Sequence, residues 1–583
     1  MRLWVHRTSR AGVMLQALLI FIWLTVLSPL AVTDTYYSVY LLCGVVSLLC
    51  LWDNYRREAR AGTGLGWPLL AAAGLFSLAV VLANYSQFLP ATLESAFDVV
   101  CCFAGGVCAA HSVLLWMMTH LPIAVEGSGR QRPARVFFIT AAAISAVDLA
   151  YLFTTAYPGV LTQDSMASVR EFMNGWYSNL NPFWFTVTVE FFYRVGFHLF
   201  GDPNAAIAVY VVFQILFLAA CFGYAEVTLY QAGVSKVVLG LFFAVYAFLP
   251  HQIVYSVTVW KDVLFGAAAL LMVTSLYRIL RGIGKSAVLN YGIALVSMLG
   301  FSLWRTNGWY AFAATVVVLL PCLGKRYKKL LVMMVSAAIV GWVMLHPVLG
   351  MLQVSGTPAV EAFSVPLQQL ARVVYEGHDI SQEEESLLAQ ALDLDTVRED
   401  YTPHLADPIK WGAFRRDNQE FVEEHFGEYV RLWLRLGVRY PTVYLKAWVE
   451  LTRGYWDSGY RFWIYAQGVI ENEFGIAHTG ELSAVASAFR GYFTAFEGSR
   501  FCQPLCAIGL HVWLLIGCTI VNALKKRREE AVLAVPIRVL VVGLWLGTPV
   551  YAEFRYAYPF FVTIPLLLGA TCFQQEKRKG QNA

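Results

Sequence analysis

Long apolar runs recur along almost the whole chain, and no other feature constrains the fold as strongly. They lie near residues 11–32, 36–52, 66–85, 93–119, 134–156, 204–230, 236–257, 262–280, 286–304, 307–323, 329–350, 504–524, 531–551 and 556–573. A helix needs ~20 apolar residues to cross the ~30 Å hydrocarbon layer. Inside that layer every backbone N–H and C=O must be paired within the chain, which leaves helices as the spanning element here. The predicted fold is an all-α polytopic membrane protein with about 14 transmembrane helices. Composition agrees: 58% of the 583 residues are hydrophobic and 14% charged, against roughly 45–50% and 25% in soluble domains. A soluble enzyme is excluded, and no basic patch argues for a nucleic-acid partner.

The connecting segments predict orientation, because cytoplasmic loops are rich in Lys and Arg. The first run follows Arg2, Arg7 and Arg10 and is longer than the 7–15 apolar residues of a signal peptide, so it reads as a retained helix. With the N-terminus inside, one face collects Arg56, Arg57 and Arg60, then Arg130, Arg132 and Arg135, then Lys236, then Arg278, Arg281 and Lys285. Lys325, Arg326, Lys328 and Lys329 follow, then Lys525 to Arg528 and Lys577 to Lys579. The short loops of the other face hold only Lys261, Arg305 and Arg555. The expectation is a multi-pass cell-membrane protein with both termini cytoplasmic and two large outer segments, 157–203 and 351–503. The chain then divides into an N-terminal four-helix region (1–133), a membrane core with the first outer loop (134–350), an extracytoplasmic mainly helical domain (351–503), and C-terminal transmembrane helices with a basic tail (504–583).

Residues 351–500 carry 22 of the 39 acidic residues and no Cys, so no disulfide framework holds them. The apolar spacing of Val365 to Val374 and of Phe421 to Leu436 predicts amphipathic helices, the second with Glu423, Glu424 and Glu428 outward. Glu383 to Glu385 reads as a solvated face. The aromatic-rich stretch Gly454-Tyr-Trp-Asp-Ser-Gly-Tyr460 fits a segment at the interface or over a pocket. No CxxC, HxxxH or Cys/His cluster occurs, which argues against a zinc site. Cys502 and Cys506 read as packing residues.

The first outer loop carries more chemistry. It reads Tyr157-Pro-Gly-Val-Leu-Thr-Gln-Asp-Ser165, a helical stretch to Met173, Tyr177-Ser-Asn-Leu-Asn-Pro182, and an apolar run 183–200. Counting that run as a span would invert every later loop, so it is predicted to lie in the interface with Glu190, Arg194 and His198 on its wetter side. Thr162 or Asp164 can cap the helix that follows Pro158. On this topology Asp164, the Trp260-Lys261-Asp262 tripeptide, Arg305-Thr-Asn-Gly308 and Glu553-Phe-Arg555-Tyr556 all reach the same membrane face. Ionisable groups at the edges of apolar helices are costly and usually functional, although Lys and Arg also snorkel to an interface for solubility alone. His251 lies just inside that face, either hydrogen-bonded within its helix or lining the cavity.

Pro158-Gly-Val-Leu-Thr-Gln-Asp-Ser165, Ser178-Asn-Leu-Asn-Pro182, Trp260-Lys-Asp262 and Arg555-Tyr-Ala-Tyr-Pro559 together resemble the GT-C superfamily of integral membrane glycosyltransferases. The closer likeness is to a bacterial membrane family related to the protein O-mannosyltransferases. The resemblance spans roughly residues 135–573 and implies a GT-C-like helical bundle. It implies transfer of a sugar from a polyprenyl-phosphate donor to an extracytoplasmic acceptor, with inversion. Asp164 would act as general base, with Asp262 assisting the acceptor or orienting Lys261. Lys261, Arg305 and Arg555 would meet the leaving phosphate, Arg555 and Lys261 foremost, while Glu553, Tyr556, Asn181 and His251 complete the substrate-binding set. No cofactor is required, though some relatives use a divalent metal, for which Asp164, Asp262 and Glu553 supply the available oxygens. Many relatives carry two adjacent acids in the first loop. Here Gln163 and Ser165 flank Asp164, so a second acid comes from elsewhere. Partners would be the donor lipid, membrane lipids and the acceptor. Two other classes remain open: a transporter or flippase of a lipid-linked envelope precursor, to which Asp148 and Glu226 within spans would belong, and a scaffold binding partners through 351–503.

Overall fold

A computed structural model describes residues 9–29, 37–58, 66–125, 132–284, 286–459, 463–479 and 482–575. Arg2, Arg7, Arg60, Arg130, Lys285, Tyr460 and Lys577 to Lys579 lie outside the described residues. The fold is helical, and each of the fourteen apolar runs contains helix. Among the described residues six helices are long and apolar enough to cross a membrane: Tyr37–Arg57, Leu93–His120, Pro133–Ala156, Pro203–Gln231, Lys261–Arg281 and Lys325–Met351. Lys236–Phe248 and Pro250–Val257 make a seventh if the 50° bend between them is taken as a break in one span. Six more apolar helices among the described residues have 10–17 residues, shorter at 1.5 Å per residue than a ~30 Å layer. Helix length alone thus accounts for six or seven of the predicted fourteen crossings, and several of the other apolar runs contain turns and proline breaks.

The Lys261–Arg281 helix is the axis of the bundle, with 89% of its apolar window buried. It packs on Pro203–Gln231, Ala287–Leu303 and Phe554–Cys572. Gly266 permits the last of these contacts, since a Cβ there would sit 2.7 Å from Tyr558 Cδ1. By contrast only 17% of the Lys325–Met351 window is buried, leaving Val332, Ile339 and Trp342 exposed on an apolar face too large for water. Two three-residue strands, Ile123–Val125 and Phe573–Gln575, pair in parallel and tie the Leu93–His120 helix to the end of Phe554–Cys572.

Residues 359–452 fold around their own core, which includes Ala371, Val373, Leu388, Val397 and Leu432. The two predicted helices are present as Ser364–Tyr375 and Phe426–Arg439, the latter separated at His425 from a short Gln419–Glu424 helix. The acidic run is not wholly a solvated face. Glu384 is buried, caps Ser381 and pairs with Arg439 at 2.8 Å. This helical layer docks on residues 545–551: Trp448 Nε1–H donates to Trp545 O (2.8 Å) and Ala406 N–H to Pro549 O (2.8 Å). The first helices hold segment 453–459, where Asp457 accepts a hydrogen bond from Tyr40. The predicted interfacial run is the Phe183–Phe200 helix, in which Arg194 pairs with Glu190 at 2.6 Å.

Candidate functional site

The Pro158-Gly159 turn sets the site's frame. Gly159 has φ 144°, and a Cβ there would lie 2.8 Å from Val211 Cγ2, so a side chain is excluded by both backbone and space. Past this turn the chain runs extended between two other segments. Val160 N–H donates to Val257 O (2.9 Å) and Val259 N–H to Val160 O (3.0 Å). On the other side Leu161 N–H donates to Gly468 O (3.0 Å) and Ile470 N–H to Leu161 O (3.1 Å). Thr162 then N-caps the Gln163–Asn174 helix. Its Oγ1 accepts from Trp260 Nε1–H at 2.7 Å, and the Ser165 hydroxyl donates to Val259 O at 2.8 Å. Capping therefore falls to Thr162, and the Asp164 carboxylate is left to face outward from the first turn.

That carboxylate meets two cations. Arg555 Nη1–H donates to Asp164 Oδ2 at 2.5 Å, and Lys261 Nζ lies 3.6 Å from the same oxygen. Arg555 Nε also lies 3.4 Å from Glu553 Oε1, a charge contact without hydrogen-bond alignment. Behind this group Arg305 Nη1 sits 2.5 Å from Asp262 Oδ1, yet neither Asp262 oxygen has an aligned hydrogen bond. The Tyr556 ring lies between the two guanidiniums, 4.7 Å from that of Arg305 and 5.1 Å from that of Arg555. The four sequence motifs thus converge in one cluster. Three of its members open helices: Gln163–Asn174, Lys261–Arg281 and Phe554–Cys572. Helix N-termini carry partial positive charge, so three of them with Lys261, Arg305 and Arg555 make a setting for an anion.

Exposure separates the carboxylates. The Asp164 side chain is 39% exposed and that of Asp262 fully buried. The charge of Lys261, opposed by desolvation and reinforced by Arg555, holds the Asp164 carboxyl well below the usual carboxylate range. Burial pushes Glu553 the other way, up to about 7, against the pull of Arg555 and with the negative charges of Asp262 and Asp164 adding to the rise. The same cluster therefore holds one carboxyl that stays ionised and one that titrates near neutrality.

Two predicted site residues are placed elsewhere. Asn181 Nδ2–H donates to Glu171 Oε1 (3.2 Å), which also accepts from the Ser178 hydroxyl (2.9 Å), and the three brace the first outer loop. His251 is buried against Phe554 and Phe561, ring centroids 4.9 and 5.5 Å away, with Cys506 Sγ 3.9 Å from Nδ1. Among the described residues no three His, Cys, Asp or Glu side chains group to hold a metal ion. Asp164, Asp262 and Glu553 each face an Arg or Lys instead, so the residues do not fit a divalent cation.

The sequence offered no role for Tyr455, and the structure supplies one. Its buried hydroxyl donates to Val550 O (2.9 Å) and accepts from Glu553 N–H (3.0 Å), fixing the start of the helix that carries Arg555. Gly454 permits this approach, because a Cβ there would overlap the Tyr551 carbonyl. Only the Gly-aromatic-Asp composition of 454–460 hinted at such a contact. Beyond the Leu161 ladder a polar cavity of about 260 Å³ is bounded by Tyr151, Val160, Gln467, Gly468, Arg490 and Phe493, among others.

No curated protein and no solved structure matches the chain. A match to a protein family covers residues 173–583, which include Lys261, Asp262, Arg305, Glu553, Arg555 and Tyr556 and begin after Asp164. That family is DUF6020, a family of unknown function, and since the match takes in well over half of its length the chain belongs to it.

Proposed function

We propose that this protein is an inverting, GT-C-like glycosyltransferase. It would move a sugar from a polyprenyl-phosphate donor to an extracytoplasmic acceptor, a cell-envelope polymer, a lipid or a protein. The observation that carries the reading is the half-exposed Asp164 carboxylate shared by Lys261 and Arg555 where three helices begin. The donor phosphate competes with Asp164 for both cations. Once it takes them, Asp164 loses the charges that suppress its basicity. The freed carboxylate accepts the proton of the acceptor hydroxyl as that oxygen attacks the anomeric carbon. The bond from that carbon to the phosphate oxygen breaks, and polyprenyl phosphate leaves with its charge on Lys261 and Arg555, a kind of contact worth a few kcal/mol in a transition state. Arg305 stays with buried Asp262 and holds Tyr556 in place. The topology that goes with this reading has about fourteen crossings, counting short and broken helices, both termini cytoplasmic, and residues 351–503 outside.

The test is a transfer assay with purified protein, a radiolabelled polyprenyl-phosphate sugar and membrane acceptors. Asp164→Asn, inserted and folded as the parent, is expected to lose transfer; undiminished transfer overturns the assignment of the base. A second reading, transport of a lipid-linked precursor, is favoured by the bent pair Lys236–Phe248 and Pro250–Val257 and by buried Asp148, whose Oδ1 has no hydrogen-bond partner. Movement of the donor across liposomes without sugar transfer would select it.

A further inference from the structure

We propose that the helical layer 359–452 binds a membrane lipid, taking one long aliphatic chain into its own pocket while the Phe426–Arg439 helix lies in the bilayer interface. This rests on the chain residing in a membrane and not on sugar transfer. The pocket has a volume of about 220 Å³, larger than the ~150 Å³ that holds a benzene ring in an engineered apolar cavity. Its walls include Leu367, Leu370, Leu388 and Phe414, with Phe426 and Val430 at the mouth. Tyr429 and Trp433 also line it but turn their polar atoms away, the Tyr hydroxyl to Leu387 O (3.0 Å) and the indole N–H to Gln369 Oε1 (2.8 Å). Gln419 and Glu423 bond to each other at 2.7 Å. With Tyr429 and Trp433 turned away, the polar side chains left on the lining are Gln419 and the exposed Glu423, and the rest of the lining is apolar, which suits hydrocarbon.

The mouth continues onto an exposed apolar stripe. Phe426, Val430, Leu434 and Val438 follow one another four residues apart and are all exposed, Val438 by 85%. On the opposite side of the same helix Tyr429, Leu432 and Leu436 are buried in the core. Apolar residues therefore cover far more of this helix than one packed face needs. Exposed Arg431 and Arg435 border the stripe, as cations do on helices that lie among lipid headgroups. The next helix, Pro441–Thr452, exposes Leu445 and one turn later packs Trp448 and Val449 against Ala79, Leu82 and Trp545. Those residues belong to the apolar helices Trp67–Ala83 and Val535–Gly547. The stripe therefore adjoins helix ends that a bilayer reaches.

The experiment uses the full chain in nanodiscs of phosphatidylethanolamine and phosphatidylglycerol, doped with a phospholipid carrying a diazirine at one acyl-chain end. After irradiation, adducts are mapped by mass spectrometry. Adducts are expected on pocket peptides around Leu367, Leu388 and Phe414. Val430→Trp at the mouth and Val438→Asp on the stripe should each lower them at least fivefold, with labelling of the exposed face at Val332 and Ile339 unchanged. Val438 is so exposed that its substitution keeps the test valid should Val430→Trp fold poorly. Labelling at Val332 and Ile339 with none in the pocket overturns the proposal, as does equal pocket labelling in parent and variants. A loss of sugar transfer by Asp164→Asn has no bearing on either result.

Discussion

The two ends of the Lys261–Arg281 helix show opposite ways of placing charge in an apolar bundle. At its C-terminal end buried Arg278 is satisfied by neutral partners: Nε–H donates to Asn290 Oδ1 (2.9 Å), and Nη1–H to Thr228 Oγ1 (2.9 Å) and Gln231 Oε1 (2.8 Å). Its guanidinium also lies 5.0 Å over the Tyr224 ring, and as a cation in the last turn it complements the helix dipole. At the N-terminal end Asp262 has charge contact but no aligned hydrogen bond, and Glu553 Oε1 and Arg555 Nε are likewise unmatched. Beside them Asp164 shares one oxygen between two cations while open to the outside. A completed network anchors a helix. An incomplete one, next to an accessible carboxylate and three cations, suits the donor phosphate of the proposed reaction.

The largest effect that could break this contrast is expected at Asp164. Asp164→Asn should cut sugar transfer ~10³-fold, within the range of general-base contributions, with little change in thermal unfolding. Arg278→Met should do the reverse. It takes the guanidinium donor from buried Thr228 and Asn290 and from half-buried Gln231 and costs about 3 kcal/mol of stability, seen as a lowered Tm in detergent, while transfer per folded molecule stays level. Equal losses of activity from the two substitutions would erase the distinction between the ends.

Glu553 sharpens the comparison through pH. Its carboxyl is pushed up to about 7, so it is protonated below and ionised above that value. The ionised form draws Arg555 toward itself and relieves Asp164, so transfer should rise as pH passes through about 7. Glu553→Gln should remain flat at the low-pH level. Stability carries the opposite sign. A carboxyl raised above its unfolded value of ~4.3 makes the fold less stable as pH climbs from there toward about 7, and Glu553→Gln should remove that decline in Tm. The smallest effect is expected from Tyr455→Phe, about 1 kcal/mol from one lost hydroxyl. Because this residue acts by positioning Glu553, its signature is a displaced pH midpoint of transfer; an unmoved midpoint would limit Tyr455 to packing.

Much of the site was legible because its residues break an otherwise apolar pattern. Asp164, Trp260-Lys-Asp262, Arg305 and Glu553-Phe-Arg555-Tyr556 each stand at the edge of an apolar run, and charge is rare enough there to be noticed. Asn181 and His251 were noticed for the same reason but belong to a brace around Glu171 and an aromatic packing contact. A polar residue near a boundary looks alike in sequence whether its partner is a neighbour or a ligand. Tyr455 escaped notice because its hydroxyl acts on Glu553 N–H across 98 positions of sequence, a distance no local pattern reports.

Hydrophobic periodicity and length are local properties, so the chain alone established the helical fold, the membrane-type helices and the four polar motifs at their margins. Packing had to decide the rest. Trp260 and Val259 hold the residues around Asp164, which leaves the cap to Thr162 and the carboxylate to Lys261 and Arg555. Proline breaks shorten apolar runs that composition had joined. The ionisation of Asp164 and of Glu553 depends on which charges and how much apolar wall come within a few ångströms, and those distances exist only once the helices have met.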